Sequence, residues 1–243
     1  MATQPIYQFY ACLRDYEPRI WRRFQVAGNI TFARLGYIVM TLFEMKAQHL
    51  FCITYPLAEN VLPEKDQNNP EELKIVHDMG DVRRFEVIDS ESFPGEEHES
   101  VFDATTMTVR RFTNKPGMLL NFEYDYGDGW EVALTLENII WDQDLPGKLL
   151  PRVLEGYGYG IIEDCGGPAG LKNLEQAFQQ KSGTDYESLS KWLGCNDLDL
   201  STFDLEDMNF RLKKIPRIYR DLYEYDYAPT KQSLNLLDRN YKR

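Results

Sequence analysis

Apolar side chains recur along the chain with two different periods, and these divide it into a strand-rich first part and a helical last third. Ile6 to Leu13 is an apolar and aromatic run that predicts a strand. After Pro18 a second strand follows, with Ile20, Phe24 and Val26 on one face and Arg19, Trp21 and Arg23 on the other. Ala27-Gly28-Asn29 reads as a turn, and Thr31 as the cap of a helix running to about Lys46. Phe32, Leu35, Val39, Leu42 and Phe43 form the apolar stripe of that helix. His49 to Tyr55 predicts a further strand, ended by Pro56.

The plainest signal is alternation on both sides of Gly127-Asp128-Gly129. Met118, Leu120, Phe122, Tyr124 and Tyr126 precede the turn, and Trp130, Val132, Leu134 and Leu136 follow it. Two such runs joined by a short Gly-Asp-Gly turn predict a β-hairpin with one apolar and one acidic, polar face. The glycine-rich stretch Pro151 to Gly170 reads as a loop. Leu171, Leu174, Ala177 and Phe178 then mark a helix. Thr184 and Glu187 predict a capping box for a second helix, stopped by Gly194. Asp204 caps a third, with Leu205, Met208, Leu212 and Ile215 on one face before Pro216. Beyond Arg217, Tyr219, Tyr223, Tyr225 and Tyr227 stand among acidic residues.

These elements predict one α+β domain over residues 1–217, followed by a tyrosine-rich C-terminal tail over 218–243. The domain is expected to hold a mixed or antiparallel sheet with a central β-hairpin, helices packed on it and a mainly helical C-terminal third. With 243 residues, 43% of them hydrophobic, the chain can bury a core without disulfides or metal.

Charge narrows the function. The net charge of −12 argues against direct binding to a nucleic-acid backbone or to anionic membrane. A variable acidic segment, 59–103, carries fourteen Asp and Glu against four Lys and Arg, so 4 − 14 = −10 of that charge sits there. Its apolar pieces Leu73 to Val76 and Val82 to Ile88 are expected as strands. The cysteines Cys12, Cys52, Cys165 and Cys195 form no close pair, which points to free thiols in a reducing compartment. Met1 to Pro5 has no signal-peptide character, and the apolar stretch Leu35 to Phe43 is too short to span a bilayer. A cytoplasmic location is the expectation.

Four segments stand out in order: Pro18-Arg19-Ile20-Trp21-Arg22-Arg23, Tyr124-Asp125-Tyr126-Gly127-Asp128-Gly129-Trp130, Pro151-Arg152-Val153-Leu154-Glu155-Gly156, and Glu163-Asp164-Cys165-Gly166-Gly167-Pro168-Ala169-Gly170. Trp192-Leu193-Gly194 and Met208-Asn209 with Leu212 follow. Together they resemble the plasmid pRiA4b ORF-3-like family, also described as insertion-element passenger TnpR-like proteins, over roughly Ile6 to Ile215. The resemblance implies an α+β fold and genes carried on mobile elements, and it implies no particular reaction. The resolvase chemistry that the TnpR label suggests needs a serine among arginines and a basic DNA-binding region, and neither is evident in this sequence. Val153, where the family usually has cysteine, the acidic segment and the tyrosine-rich tail depart from the family pattern.

Several residue groups are candidate sites. Asp125 and Asp128 at the hairpin tip, with Glu163 and Asp164 in the glycine-rich loop, would bring four carboxylates together where the loops meet. Such oxygens suit Mg²⁺ or Ca²⁺, and a metal there would activate water. The competing reading is structural: aspartates satisfying turn N–H groups, and Glu163 or Asp164 paired with Arg22 or Arg23. No other cofactor is indicated. Arg19, Trp21, Arg22 and Arg23 combine stacking with a bidentate fork for an anion, against pairing with the acidic loops. Among His49, His77 and His98, only His49-x-x-Cys52 has ligand-like spacing, and on a strand those two side chains face opposite ways, so zinc is not expected. Cys165 precedes Gly166-Gly167, whose N–H groups would lower its pKa, but no histidine adjoins it.

With no poised nucleophile in the sequence, the leading expectation is a non-enzymatic accessory protein of a mobile element, acting through a protein partner. A sharper form is an acidic inhibitor that fills the channel of a basic nucleic-acid enzyme, such as a CRISPR effector. In it Glu91, Glu96, Glu97 and Glu99 imitate phosphates, and Tyr223, Tyr225 and Tyr227 imitate stacked bases. The third reading is a metal-dependent hydrolase or nuclease using Asp125, Asp128, Glu163 and Asp164.

Overall fold

The structure, a computed structural model, describes residues 4–88 and 99–237. Its strands are β1 (Ile6–Leu13), β2 (Trp21–Ala27), β3 (Phe51–Pro56), β4 (Val82–Glu86), β5 (Glu99–Asp103), β6 (Leu119–Tyr124), β7 (Trp130–Ile140) and β8 (Arg152–Tyr157). They form one sheet in the order β5-β4-β3-β6-β7-β1-β2-β8. β4 and β5 run parallel and the remaining neighbours antiparallel, so the sheet is mixed. The expected hairpin, β6 and β7, lies at its centre, with Tyr124 opposite Trp130 next to the turn.

The helices are α1 (Phe32–Leu42), α2 (Leu57–Val61), α3 (Pro70–Asp78), α4 (Gly167–Gln180), α5 (Thr184–Leu193), α6 (Leu205–Leu212), α7 (Ile215–Tyr225) and α8 (Lys231–Leu237). The fold is therefore α+β with a helical C-terminal region, as expected. α1 packs against β3, β4, α6 and α7, which buries it on nearly every face. At Gly36 a Cβ would lie 2.3 Å from the Phe51 ring, so only glycine lets the helix approach the sheet this closely. Phe9, Phe24, Leu120, Phe122, Val132 and Leu134 form the sheet side of the core and are fully buried. Each such side chain contributes about 1.5–3 kcal/mol relative to exposure.

Several expectations need correction. Leu73 to Val76 lies in α3, not in a strand, because Asn69 accepts from the Glu71 N–H at 3.0 Å and Pro70 opens the helix. Arg152 to Tyr157 forms β8, pairing with the edge that β2 would otherwise expose. α5 starts from Gly183, whose carbonyl accepts from the Glu187 N–H, and not from a Thr184–Glu187 capping box. α1 stops at Leu42 because Glu44 and Ala47 adopt left-handed backbone conformations, and residues 43–50 form a loop. Past Arg217 the chain continues as α7, which packs against α1 with Tyr219 fully buried. Among the described residues, no helix is long and apolar enough to cross a membrane.

Candidate metal centre

Three loops meet at one end of the sheet: residues 43–50 after α1, the β6–β7 turn, and the chain before α4. Asp125 opens the turn in a left-handed conformation. Its Oδ1 accepts from the N–H groups of Gly127 at 3.1 Å and Asp128 at 3.3 Å, an Asx turn that leaves Oδ2 to face His49. Its own N–H donates to the Leu50 carbonyl at 3.1 Å, which ties the turn to the 43–50 loop. Asp128 Oδ2 accepts from the Gly166 N–H at 3.1 Å. At Gly167 a Cβ would meet the Asp128 carbonyl oxygen at 2.3 Å, so the third loop can dock on the turn only with glycine there.

Glu163 is buried and divided in function between its two oxygens. Oε1 accepts from the Lys46 backbone N–H at 2.6 Å and from the Tyr124 hydroxyl at 2.8 Å. Oε2 is shielded from solvent and has no hydrogen-bond partner among the described residues, and the same holds for His49 Nε2. His49 Nε2 lies 3.4 Å from Asp125 Oδ2, 3.9 Å from Glu163 Oε2 and 3.7 Å from Asp164 Oδ1. One ligand atom each from His49, Asp125 and Glu163 fall within 4.8 Å of one another. Donors bound to one ion at about 2.0–2.2 Å stand roughly 3 to 4.4 Å apart. The three groups thus approach a coordination sphere, and the exposed Asp164 is placed to join it.

The supporting contacts fix orientation. The Tyr124 ring meets His49 edge-on at 5.7 Å, and its hydroxyl accepts from the Gln48 N–H at 3.1 Å. Burial pushes the Glu163 carboxyl above its usual range, and the charge of Asp164 adds to this, against the lowering by Lys46 N–H, Tyr124 and His49. Burial, with Glu163 next to it, likewise raises the Tyr124 phenol, so it stays protonated as a donor. Beside the centre opens a pocket of about 240 Å³ whose walls include Lys46, Tyr159, Glu163, Asp164 and the half-exposed Trp192.

Of the four carboxylates singled out in the sequence, Asp125, Glu163 and Asp164 converge, while Asp128 holds the two loops together. The expectation of a strand from His49, which argues against His49 as a ligand, is corrected here. The strand begins at Phe51, and His49 sits in the loop, free of the strand alternation that excluded it. Cys52 is buried inside β3 and is not among the groups gathered at His49. The spacing of His49 pointed only to Cys52, and the alternation of Tyr124 only to a strand; neither pointed to Asp125 or Glu163.

The structural alternative, Glu163 or Asp164 paired with Arg22 or Arg23, is not what forms. Arg22 is fully buried and donates to the carbonyls of Leu42, Trp21, Tyr157, Gly158 and Tyr159, which occupies the five N–H groups of a guanidinium. It has no fork left for an outside anion. Arg23 grips Glu137 at 2.7 and 2.9 Å and also pairs with Glu155. Arg19 lies by Glu17 at 3.3 Å, and Trp21 stacks on Tyr10. Tyr223 packs against Tyr37 and Phe51, whereas Tyr225 and Tyr227 are exposed and stacked on each other at 5.8 Å. The three tyrosines therefore do not make one stacking surface. Glu91, Glu96 and Glu97 lie outside the described residues, and Glu99 begins β5. Burial pushes the Cys165 thiol up to about 12, with the charge of Asp128 adding to it, the reverse of an activated thiol.

Comparison with known proteins decides the family. The family described as plasmid pRiA4b ORF-3-like protein matches residues 5–211. The chain belongs to this plasmid pRiA4b ORF-3-like family. The matched range includes His49, Asp125, Glu163 and Asp164. The chain is also 29% identical over 86 residues to the uncharacterized protein y4hQ of Sinorhizobium fredii (strain NBRC 101917 / NGR234). That match spans 35% of this chain and 43% of the relative, less than half of the relative's length. The crystal structure of a protein of unknown function, MM3350 from Methanosarcina mazei Go1, shares the fold with a TM-score of 0.62 at 22% identity, over 84% of this chain and 97% of that one.

Proposed function

We propose that this ORF-3-like protein binds one divalent cation through His49, Asp125 and Glu163, with Asp164 at the edge, and acts as a metal-dependent hydrolase. The observation that carries the reading is Oε2 of the buried Glu163, which accepts no hydrogen bond and faces a His49 nitrogen that makes none either. A buried carboxylate oxygen without a partner is costly, and a cation shared with His49 and Asp125 relieves that cost. Mixed nitrogen and oxygen donors favour a first-row ion such as Mn²⁺ or Zn²⁺ over Ca²⁺. His49, Asp125 and Glu163, with Asp164, would hold the ion with a position left for water, and the chemistry that it would supply there is the activation of that water at neutral pH. The pocket beside Trp192 and Lys46 is lined by Glu163 and Asp164, which puts room for a small substrate next to these two groups.

Calorimetry on chelator-treated protein with Mn²⁺, Zn²⁺, Mg²⁺ and Ca²⁺ tests the binding. One site for Mn²⁺ or Zn²⁺ is expected, weakened more than about ten-fold in Glu163→Gln and Asp125→Asn. No uptake at millimolar Mn²⁺ or Zn²⁺ removes the centre. Binding without turnover of ester, phosphoester or amide substrates removes the hydrolytic half alone.

We infer as a second reading an accessory role through a protein partner. It is supported by the exposed, stacked Tyr225–Tyr227 pair, since tyrosines are enriched at protein interfaces. Loss of partner capture in a Tyr225→Ser, Tyr227→Ser double variant is its test, and unchanged capture sinks it.

A further inference from the structure

The loop that carries His49 is held from a second side by α7. On one face of that helix, one turn apart, the Tyr219 hydroxyl donates to the Met45 carbonyl and the Tyr223 hydroxyl donates to the His49 carbonyl. The opposite groups of the same loop serve the centre: the N–H of Lys46 binds Glu163, and the N–H of Gln48 binds the Tyr124 hydroxyl. Residues 43–50 are thus clamped between α7 and the cation ligands, with no helix or strand of their own to fix them. Glu44 and Ala47 lie in left-handed backbone conformations, so the loop's path depends on these outside bonds. α7 begins at Ile215, beyond the residues 5–211 that define the family match.

Resting on the cation-binding reading above, we infer that Tyr219 and Tyr223 are positioning residues for the centre, and that docking of α7 and binding of the cation are linked. The hydroxyl of Tyr223 fixes the backbone of His49 itself, so its loss lets the imidazole drift from Asp125 and Glu163. The Tyr223 ring is anchored separately, stacked on Tyr37 at 5.7 Å and edge-on to Phe51 at 5.1 Å, so Tyr223→Phe removes the bond and keeps the packing. Linkage is reciprocal: a cation that orders the 43–50 loop also strengthens its hold on α7.

The test uses the full chain with Mn²⁺ as probe, in titration calorimetry and in amide hydrogen exchange. Tyr223→Phe is expected to bind Mn²⁺ about ten-fold more weakly, as removal of an orienting partner does. Tyr186→Phe, whose hydroxyl bonds Asn196 far along the chain from the centre, keeps wild-type affinity. In the wild type, Mn²⁺ slows exchange across residues 215–225, and in Tyr223→Phe this protection shrinks. A merely structural tyrosine would not move that Mn²⁺-dependent difference. Tyr219→Phe repeats the test should Tyr223→Phe not fold. Wild-type affinity in both variants, or exchange in α7 that ignores Mn²⁺, overturns the link and leaves the centre standing. A wild type that binds no Mn²⁺ or Zn²⁺ overturns both.

Discussion

The Tyr124 hydroxyl donates to Oε1 of Glu163 at 2.8 Å, and this bond leaves the other oxygen of the buried carboxylate turned to His49. The same hydroxyl accepts from the Gln48 N–H, so one phenol sets both the carboxylate and the loop of the imidazole. Tyr124→Phe keeps the ring and removes both bonds. Mn²⁺ affinity is expected to fall about ten-fold. Stability is expected to fall by about 1–3 kcal/mol, because a buried acceptor and donor lose their partner. Calorimetric titration and urea unfolding read the two effects, and an unchanged affinity would dissociate Tyr124 from the centre.

The pH dependence has a defined sign. Burial raises the Glu163 carboxyl above its value of 4.5 in the unfolded chain. Between those two values the native state holds a proton that the unfolded state has lost, so this group's contribution to stability declines as pH rises through the window. A bound cation replaces the proton. The gain in Tm on adding Mn²⁺ is therefore expected to grow with pH above about 4.5. In Glu163→Gln, which mimics the protonated carboxyl, the ion-free protein should lose less stability over the same rise in pH. Scanning calorimetry at several pH values measures this, and identical slopes for both proteins would contradict it.

Arg22 acts as an internal brace and not as an anion fork. Its guanidinium joins the end of α1 to the end of β8 and the chain after it, through the carbonyls of Leu42, Tyr157, Gly158 and Tyr159. Lysine offers three donors and no planar fork. Arg22→Lys should therefore destabilise the protein by about 3 kcal/mol or more, with several carbonyls left unpaired. Chemical denaturation measures the loss, and a change within about 0.5 kcal/mol would contradict the brace.

Cys165 should be inert. With its thiol moved from 9.0 to about 12, the thiolate fraction at pH 8 is about a thousand-fold below that of an ordinary cysteine. Iodoacetamide labelling followed by peptide mass mapping should find it modified far more slowly than a model thiol. Rapid labelling of the folded protein would reverse the assignment.

Much of this architecture was legible from local pattern. Period-two alternation about Gly127-Asp128-Gly129 specifies the β6–β7 hairpin, because one apolar face must be buried and a slip by one residue would expose it. The Thr31 and Asp204 caps are likewise visible, since a cap is a bond between residues three apart. The motif order from Pro18 to Leu212 was enough for the family, which the match over 5–211 bears out.

What the tertiary structure alone decided is which groups meet. Arg22 and Arg23 stand side by side in sequence, yet strand alternation sends one into the core and the other across to Glu137. His49 reaches Asp125 and Glu163 only because α1 ends at Leu42 and the 43–50 loop turns back between the hairpin tip and α7. Local propensity acts over a few residues. The separation between His49, Asp125 and Glu163 is closed by the packing of three loops, and neither spacing nor composition encodes that.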